Sequence, residues 1–279
     1  MKIRFLMSVL AAVIVCLPLS AAVEYDFRQS TRSEIQGMPS REVEGRAVVD
    51  GGRSRIDFKK GSAYASGSYV ISSNNARQLL IVNPADKTYN AIDVAGAIND
   101  LGNVPILVEN LKTNRRRLDD HPVVAGLPTD HDQIETTYDM TITFGQLKVK
   151  QRVQTVIDRW TTKAFGDVSD SFLVGGPPRT GNAELDKLID LETSKFTGLA
   201  LRQTISITTS ADDGRSSRSE LKLNRVRKQS SELVVTAVRP VDVASSFFEV
   251  PKTFRKSEKN PIKTEESAIE SMTLQPVTN

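Results

Sequence analysis

Residues 137–144 read TYDMTITF, and this stretch decides the fold class. Its apolar side chains occupy every second position, and these are Tyr138, Met140, Ile142 and Phe144. A period of two places the apolar set on one face of a β-strand and the intervening threonines and aspartate on the other. Antiparallel sheets with one packed and one solvated face show this pattern. The stretch therefore predicts such a strand.

Similar alternation recurs along the chain. It predicts further strands at residues 43–49, 53–58, 69–72, 78–82, 88–92, 147–160, 199–208, 219–226 and 233–238. Turn-forming Gly, Asn, Asp and Pro residues separate neighbouring segments, as they do in a series of hairpins. The alternation slips near Thr155 and Val156, which predicts a bulge at that point.

Two segments have helical spacing instead. Asn182 is a good N-cap residue, and four apolar residues follow it on one helical face: Leu185, Leu188, Ile189 and Phe196. Residues 94–101 form a weaker helical candidate. The predicted fold class is mainly β with a few helices. We expect an antiparallel meander curled into a half-barrel, with one or two helices packed on it.

The N-terminus has the three parts of a secretory signal. Lys2 and Arg4 are its positive residues, residues 5–17 are its apolar stretch, and small residues end it. We expect cleavage after Ala22, with Ala21 as the alternative. The predicted organisation is a signal peptide at 1–22, a single β-rich domain at 23–251 and a charged, disordered tail at 252–279. The predicted location is periplasmic or secreted.

Cysteine and charge content limit the function classes. Cys16 is the only cysteine, and Val15 before it argues against a lipoprotein signal, so the mature chain has no thiolate or disulfide. The chain has 37 Lys and Arg against 34 Asp and Glu, and removing Lys2 and Arg4 leaves a formal +1. This balance predicts no nucleic-acid partner. No later apolar segment is long enough for an integral membrane protein.

No catalytic motif is present. The chain has neither a Gly-x-Ser-x-Gly elbow nor a P-loop, and we predict a protein that is not an enzyme and takes no cofactor. His121 and His131 are the only histidines, and both lie among aspartates. They are remote candidates for a metal site of a hydrolase. The arginines at 115–117 are interpreted as a solvated strand end.

The apolar strand faces are the remaining candidate site. A sheet must cover such a face, either with a filled core or around a cavity that holds a ligand. The residues predicted to line a ligand site are Tyr138, Met140, Ile142, Phe144, Ile205, Ile207, Leu221 and Leu223.

Five short stretches resemble a known family: 126–131, 138–140, 158–160, 80–89 and 246–251. They are similar to a family of exported bacterial proteins, a domain of unknown function with a periplasmic lipoprotein-carrier-like (LolA/LolB-like) fold. The last stretch resembles the final strand of such carriers. The resemblance spans residues 24–254 and implies a half-barrel over an apolar cavity. It also implies lipid or acyl-chain ligands, and no catalytic residues.

Taken together, we predict an exported, non-enzymatic protein that binds a lipid or other apolar ligand on the concave side of its sheet. The alternative is an envelope protein-interaction or structural module with a filled core and a tail that serves as tether. The metal-dependent hydrolase is a remote third.

Overall fold

The computed structural model describes residues 22–34, 40–50, 52–73, 78–93, 105–144, 146–166, 183–193, 197–211 and 226–258. Strands β1 to β14 in chain order are Ala22–Ser33, Arg41–Asp50, Arg53–Lys60, Tyr69–Ser73, Gln78–Asn83, Thr88–Asp93, Ile106–Leu118, Val123–Val124, Leu127–Pro128, Asp130–Phe144, Leu147–Thr162, Leu199–Ala211, Val226–Val241 and Arg255–Lys256. Helix α1 is Ala183–Thr193, and a 3-10 helix spans Ser245–Phe248.

Twelve of these strands form one open sheet in the order β14-β6-β5-β4-β3-β2-β1-β13-β12-β11-β10-β7. Strands β1 to β6 form one antiparallel meander, and β10 to β13 form a second. The antiparallel pair β1–β13 joins the two meanders. Because β14 and β7 are not paired with each other, the sheet has two edges and is not a closed barrel.

The strand register defines two faces of the sheet. Ile157, Ile205, Ser231, Thr31 and Arg41 are successive cross-strand partners from β11 to β2. Residues in such a row point to the same side, so they mark one face across both meanders, which we call face A. Face B is the opposite side.

Three apolar clusters hold the sheet and its coverings together. On face A, the central cluster includes Tyr25 and Leu201, and the β8–β9 hairpin packs Leu127 against it. At the far end of face A, Leu188 of α1 packs with Tyr138. On face B, Phe248 of the 3-10 helix packs in the cluster of Val48 and Ile71. Different segments thus cover different parts of the two faces.

The C-terminal segment stays attached to the sheet beyond Pro251. Phe254 packs against the face B cluster, and β14 pairs in parallel with β6. Asn90 donates a side-chain hydrogen bond to the Ser257 carbonyl at 2.7 Å. Ordered contacts therefore extend into the segment for which composition predicts disorder, at least as far as Ser257.

The predicted fold class is confirmed: the protein is mostly β, with an open sheet and α1 packed on it. Among the described residues no helix is long and apolar enough to cross a membrane. The predicted signal peptide lies outside the described residues apart from Ala22, and so do the weak helix at 94–101 and Phe196.

Several details differ from the sequence predictions. The slip at Thr155 is not a bulge, because β10 and β11 pair without a register shift; the shift lies at Trp160/Thr161 against β12. Thr155 is simply a buried threonine on an apolar face. Residues 246–251, similar to a final strand in the carriers, include a 3-10 turn. Residues 233–238 belong to a single strand that begins at Val226.

Candidate functional site: a cavity on face A

The described members of the predicted lining set lie on face A, and much of their surface is covered. Tyr138, Met140 and Ile207 belong to the cluster that packs against Leu185 and Leu188 of α1. Tyr138 retains only 9% exposure.

The other predicted lining residues contribute less to a site. Ile142 and Ile205 are half-buried on the same face. Phe144 is the last residue of β10, and its side chain lies outside what the structure describes. Leu221 and Leu223 lie outside the described residues. This half of face A is largely filled by the helix.

The open part of face A lies in the other meander. A cavity of about 290 Å³ runs under the loop at 61–68, between β3 and β4. It is lined by Gln29, Arg41, Val43, Ser54, Ile56, Phe58, Gly61, Ser62, Ala63, Tyr64, Val70, Ser72 and Leu79. Its volume is just below the range of about 300–1,000 Å³ that is usual for ligand pockets. Most lining side chains are apolar, so the cavity favours an apolar guest.

Local chemistry holds the loop over the cavity. Gly61 has φ +72°, and a β-carbon there would lie 1.7 Å from the Glu42 carbonyl oxygen, so only glycine lets the loop start this close to β2. The Tyr64 amide donates to the Ser62 hydroxyl at 3.0 Å, which closes a tight turn. The Tyr64 ring lies 5.7 Å from that of Phe58, and burial raises the pKa of Tyr64. These contacts fix the loop at 61–68 as a roof over the cavity.

The lining extends along the strands. Cross-strand partners on face A form rows across the sheet, and the lining residues belong to several of these rows. The first row contains Arg41, and the next contains Val43 and Gln29. The last row contains Ser54 and Ser72. The last row begins at Val49, eight residues beyond Arg41, so the rows span about 27 Å at about 3.4 Å per residue. The cavity is long and narrow, which suits a chain better than a compact ring system.

The two ends of the cavity differ in polarity. Arg41 is exposed at one end, and none of the described residues forms a salt bridge with it. At the other end Ser54 and Ser72 are direct cross-strand partners, 1% and 3% exposed. The Ser72 hydroxyl has no hydrogen-bond partner within the described protein. The cavity is therefore an apolar channel with a charged residue, Arg41, at its outer end, which we call the mouth. Two serine hydroxyl groups, of Ser54 and Ser72, lie at its inner end.

A second polar group is buried beneath α1. Burial raises the pKa of Glu192 above its ordinary value, and the nearby hydroxyl groups of Thr136 and Thr155 offset part of this effect. The Oε1 atom of Glu192 is buried without a hydrogen-bond partner among the described residues. Burial raises the pKa of Tyr138 to about 12, and the negative charge of Glu192 is the second cause of the rise. A hydrogen bond with Thr155 opposes the rise.

Face B of the β10–β13 half is polar, and it holds His131. The His131 ring stacks on Trp160 at 4.2 Å, with Nδ1 2.9 Å from Asp120 and Nε2 3.2 Å from Asp158. His121 pairs instead with Asp119. No group of three or more His, Cys, Asp or Glu residues in the described chain is arranged to hold a metal ion. The remote metal-hydrolase hypothesis gains no support from these positions.

The arginines at 115–117 also differ from a merely solvated strand end. Arg115 and Arg117 form ion pairs with Asp132, which is 4% exposed, and Arg116 hydrogen-bonds with Gln133. They link edge strand β7 to β10. Their role in the described structure is to hold an edge strand.

Sequence reasoning missed the cavity residues themselves. The one signal was the Gly- and Ser-rich stretch at 61–68 between two predicted strands, longer than a tight hairpin turn requires. A long loop between adjacent strands indicates a segment that folds back over the sheet, and the alternating Val43, Ile56 and Val70 lie beneath it.

Comparisons with known proteins add little to this geometry. No protein-family model matches the chain, and no curated protein matches it. Among solved structures it is similar to a LolA superfamily protein from Nitrosomonas europaea, with 9% identity over 82% of this chain and 90% of that chain, and a TM-score of 0.32. A likeness at this TM-score assigns neither a family nor a ligand, so the resemblance to lipoprotein carriers stays a prediction.

Proposed function

We propose that this protein binds an elongated apolar molecule, of the chain-like kind found in lipids, in the face A cavity. The observation that carries the proposal is a long apolar channel under a roof whose first residue must be glycine. Binding follows from burial of the guest against Val43, Phe58 and their neighbours, at about 25 cal/mol for each Å² of apolar surface removed from water. We propose the periplasm or the outside of the cell as the location of this activity, and the secretory-signal pattern of the N-terminus supports it.

The cavity replaces the predicted lining set as the centre of the proposal. The cavity lies on the same face of the sheet as Tyr138 and Met140, but in the other half, and α1 covers those two residues. The set around Tyr138 remains a prediction for a ligand that displaces α1. A non-enzymatic role is part of the proposal, and it rests on the apolar character of the channel.

Native mass spectrometry of the chain produced with its own N-terminal segment in a bacterial host tests the proposal. We expect a bound species of lipid mass in stoichiometric amount, identified by solvent extraction beside a mock purification. Ala63 lines the cavity, and Ala65 in the same loop does not. Ala63→Phe should fill the channel and eliminate the bound species, whereas Ala65→Phe should retain it.

Two results would contradict the proposal. One is a wild-type protein without any co-purified molecule that also fails to take up hexadecanoate. The other is a folded Ala63→Phe variant that binds as well as the wild type. A ligand-free protein with a filled channel would favour the interaction-module alternative.

A further inference from the structure

The inner end of the cavity has polar chemistry that a plain hydrocarbon chain does not use. Ser54 and Ser72 lie side by side on β3 and β4, and both are almost completely buried. Ser72 lines the cavity, and its hydroxyl is without a hydrogen-bond partner among the described residues. Buried hydroxyls are normally paired, because an unpaired one forfeits the hydrogen bonds it makes with water.

A methyl terminus packed against these serines would leave the Ser72 hydroxyl unpaired. A ligand hydroxyl at the same place would both donate to and accept from a serine, since each hydroxyl has one donor and two acceptor sites. The neighbouring Leu79 and Val70 are apolar, so only a group at the tip of the chain would meet the pair. The inner end is thus suited to a single terminal oxygen.

The outer end restricts the ligand further. Arg41 is exposed at the mouth and forms no salt bridge with a described residue, and Gln29 lies one row further in. A guanidinium group binds a carboxylate with charge-assisted hydrogen bonds. The distance of about 27 Å between the end rows leaves room for a long chain between the two polar ends.

On the basis of the proposed function, we propose that the cavity selects a long-chain carboxylate that carries a hydroxyl group at its far end. The carboxylate lies at Arg41 and the chain against Val43, Ile56 and Val70. The terminal hydroxyl pairs with Ser72.

Two probes of equal chain length test the inference: docosanoate and 22-hydroxydocosanoate, whose extended chains match the distance of about 27 Å between the end rows. Each is titrated into the full chain by calorimetry. A hydrogen bond contributes about 0.5–1.5 kcal/mol net, which converts to about 2- to 12-fold in affinity. We therefore expect the hydroxylated probe to bind several-fold more tightly. In Ser72→Ala this preference should disappear or reverse, while docosanoate binding is unchanged or stronger.

Ser66→Ala is the matched control, because Ser66 is exposed in the roof loop and does not line the cavity. It should keep the wild-type preference. Equal affinities for the two probes in the wild type, or an unchanged preference in Ser72→Ala, would overturn the inference while the proposed function stands. Failure of both probes to bind would overturn both.

Discussion

Two small residues beside the cavity, Gly61 and Ser72, lead to separate tests of its geometry and of its proposed ligand. Gly61 and Gly67 both have positive φ, at +72° and +77°, but only Gly61 has a neighbouring backbone where a β-carbon would go. Comparing alanine substitutions at Gly61 and Gly67 therefore separates backbone strain from steric collision. Left-handed strain is common to both positions, and the collision with the Glu42 carbonyl oxygen is specific to Gly61.

We expect Gly61→Ala to lower the free energy of unfolding far more than Gly67→Ala. The strain of a left-handed alanine costs about 1 kcal/mol at either position, and a contact of 1.7 Å forces β2 and the loop apart in addition. Urea denaturation of both variants measures the difference. Equal losses of stability would show that the loop does not pack against Glu42.

Ser72→Ala should stabilise the ligand-free protein. Leaving a buried hydroxyl without a partner costs about 1–3 kcal/mol, and alanine removes that hydroxyl at the expense of only a small void. We expect a rise of about 1 kcal/mol in the unfolding free energy, measured by urea denaturation beside Ser66→Ala. A loss of stability would mean that Ser72 is already hydrogen-bonded inside the protein.

Helix α1 is the element whose docking depends on a buried acid. Glu192 lies on the side of α1 that faces Thr136 and Thr155, and burial raises its pKa. A raised folded-state pKa means that the stabilising contribution is complete below the ordinary value of 4.5. It is lost as the pH rises through the folded-state value.

The unfolding free energy should therefore fall through this group as the pH rises above about 4.5 and through the raised folded-state pKa. Glu192→Gln removes the charge, and we expect the unfolding free energy of this variant to depend less on pH. At pH 7 its unfolding free energy should exceed that of the wild type by about 1 kcal/mol or more, because a buried charge is left less well satisfied than a neutral amide. Denaturation curves across this pH range, with the exposed Glu249→Gln as control, test the expectation. An unchanged pH profile would contradict it.

The contacts of the C-terminal segment with the sheet lie between residues 252 and 258, so two truncations can separate them from the rest of the tail. Removing residues 259–279 leaves Phe254 and the β14–β6 pairing in place, whereas removing residues 252–279 eliminates both. We expect the longer truncation to lower the unfolding free energy by about 2 kcal/mol, the usual effect of exposing a phenylalanine, and the shorter one to change it little. Thermal unfolding of the two truncations against the full chain measures this. Equal stability of both would make the segment dispensable.

Elements with regular alternation were predictable from the sequence. β11 and the hairpins of the first meander match their predicted positions, because each has one packed and one solvated face. β10 ends where predicted but begins at Asp130, seven residues before its predicted start at Thr137. β7 was not predicted, since an edge strand with charges on both faces shows no period of two. β1 was also missed, although Tyr25 and Phe27 alternate, because it follows directly on the predicted signal.

The location of the site could not be predicted, for a different reason. Val43 and Ile142 have the same pattern in sequence, as apolar residues on a half-packed strand. Whether each lies under a helix or under a loop depends on where α1 docks, which is a tertiary relationship. Local periodicity identifies face A but does not distinguish its covered half from its open half.

At the scale of the whole molecule, β1 is shared by both meanders. It pairs with β2 on one side and with β13 on the other, and Tyr25 and Val235 belong to the same core cluster. Because the central strand contributes to both halves, neither half retains its packing when β1 detaches. We expect the two meanders to unfold as one unit.

Hydrogen exchange in low urea tests this expectation. Amides of β3 and β11, in different meanders, should reach the same opening free energy as amides of β1. A variant that weakens the shared cluster, such as Val235→Ala, should lower all three together by about 1–3 kcal/mol. Separate opening energies for the two meanders would show that they are independent units.

The pairing of β1 with β13 joins strands that are far apart in the sequence, so β1 is present for some time before its partner strand has been made. Phe27 precedes its partner Val235 by about 200 residues, so it emerges first from the ribosome and also first on the far side of the membrane during the proposed export. At about 5–20 residues per second, the wait is about 10–40 s. During that time the first meander has an open backbone edge along β1, where another chain could add a strand. Charged Glu24, Asp26 and Arg28 recur along that edge, and they make it a poor template for aggregation until the last long strand arrives.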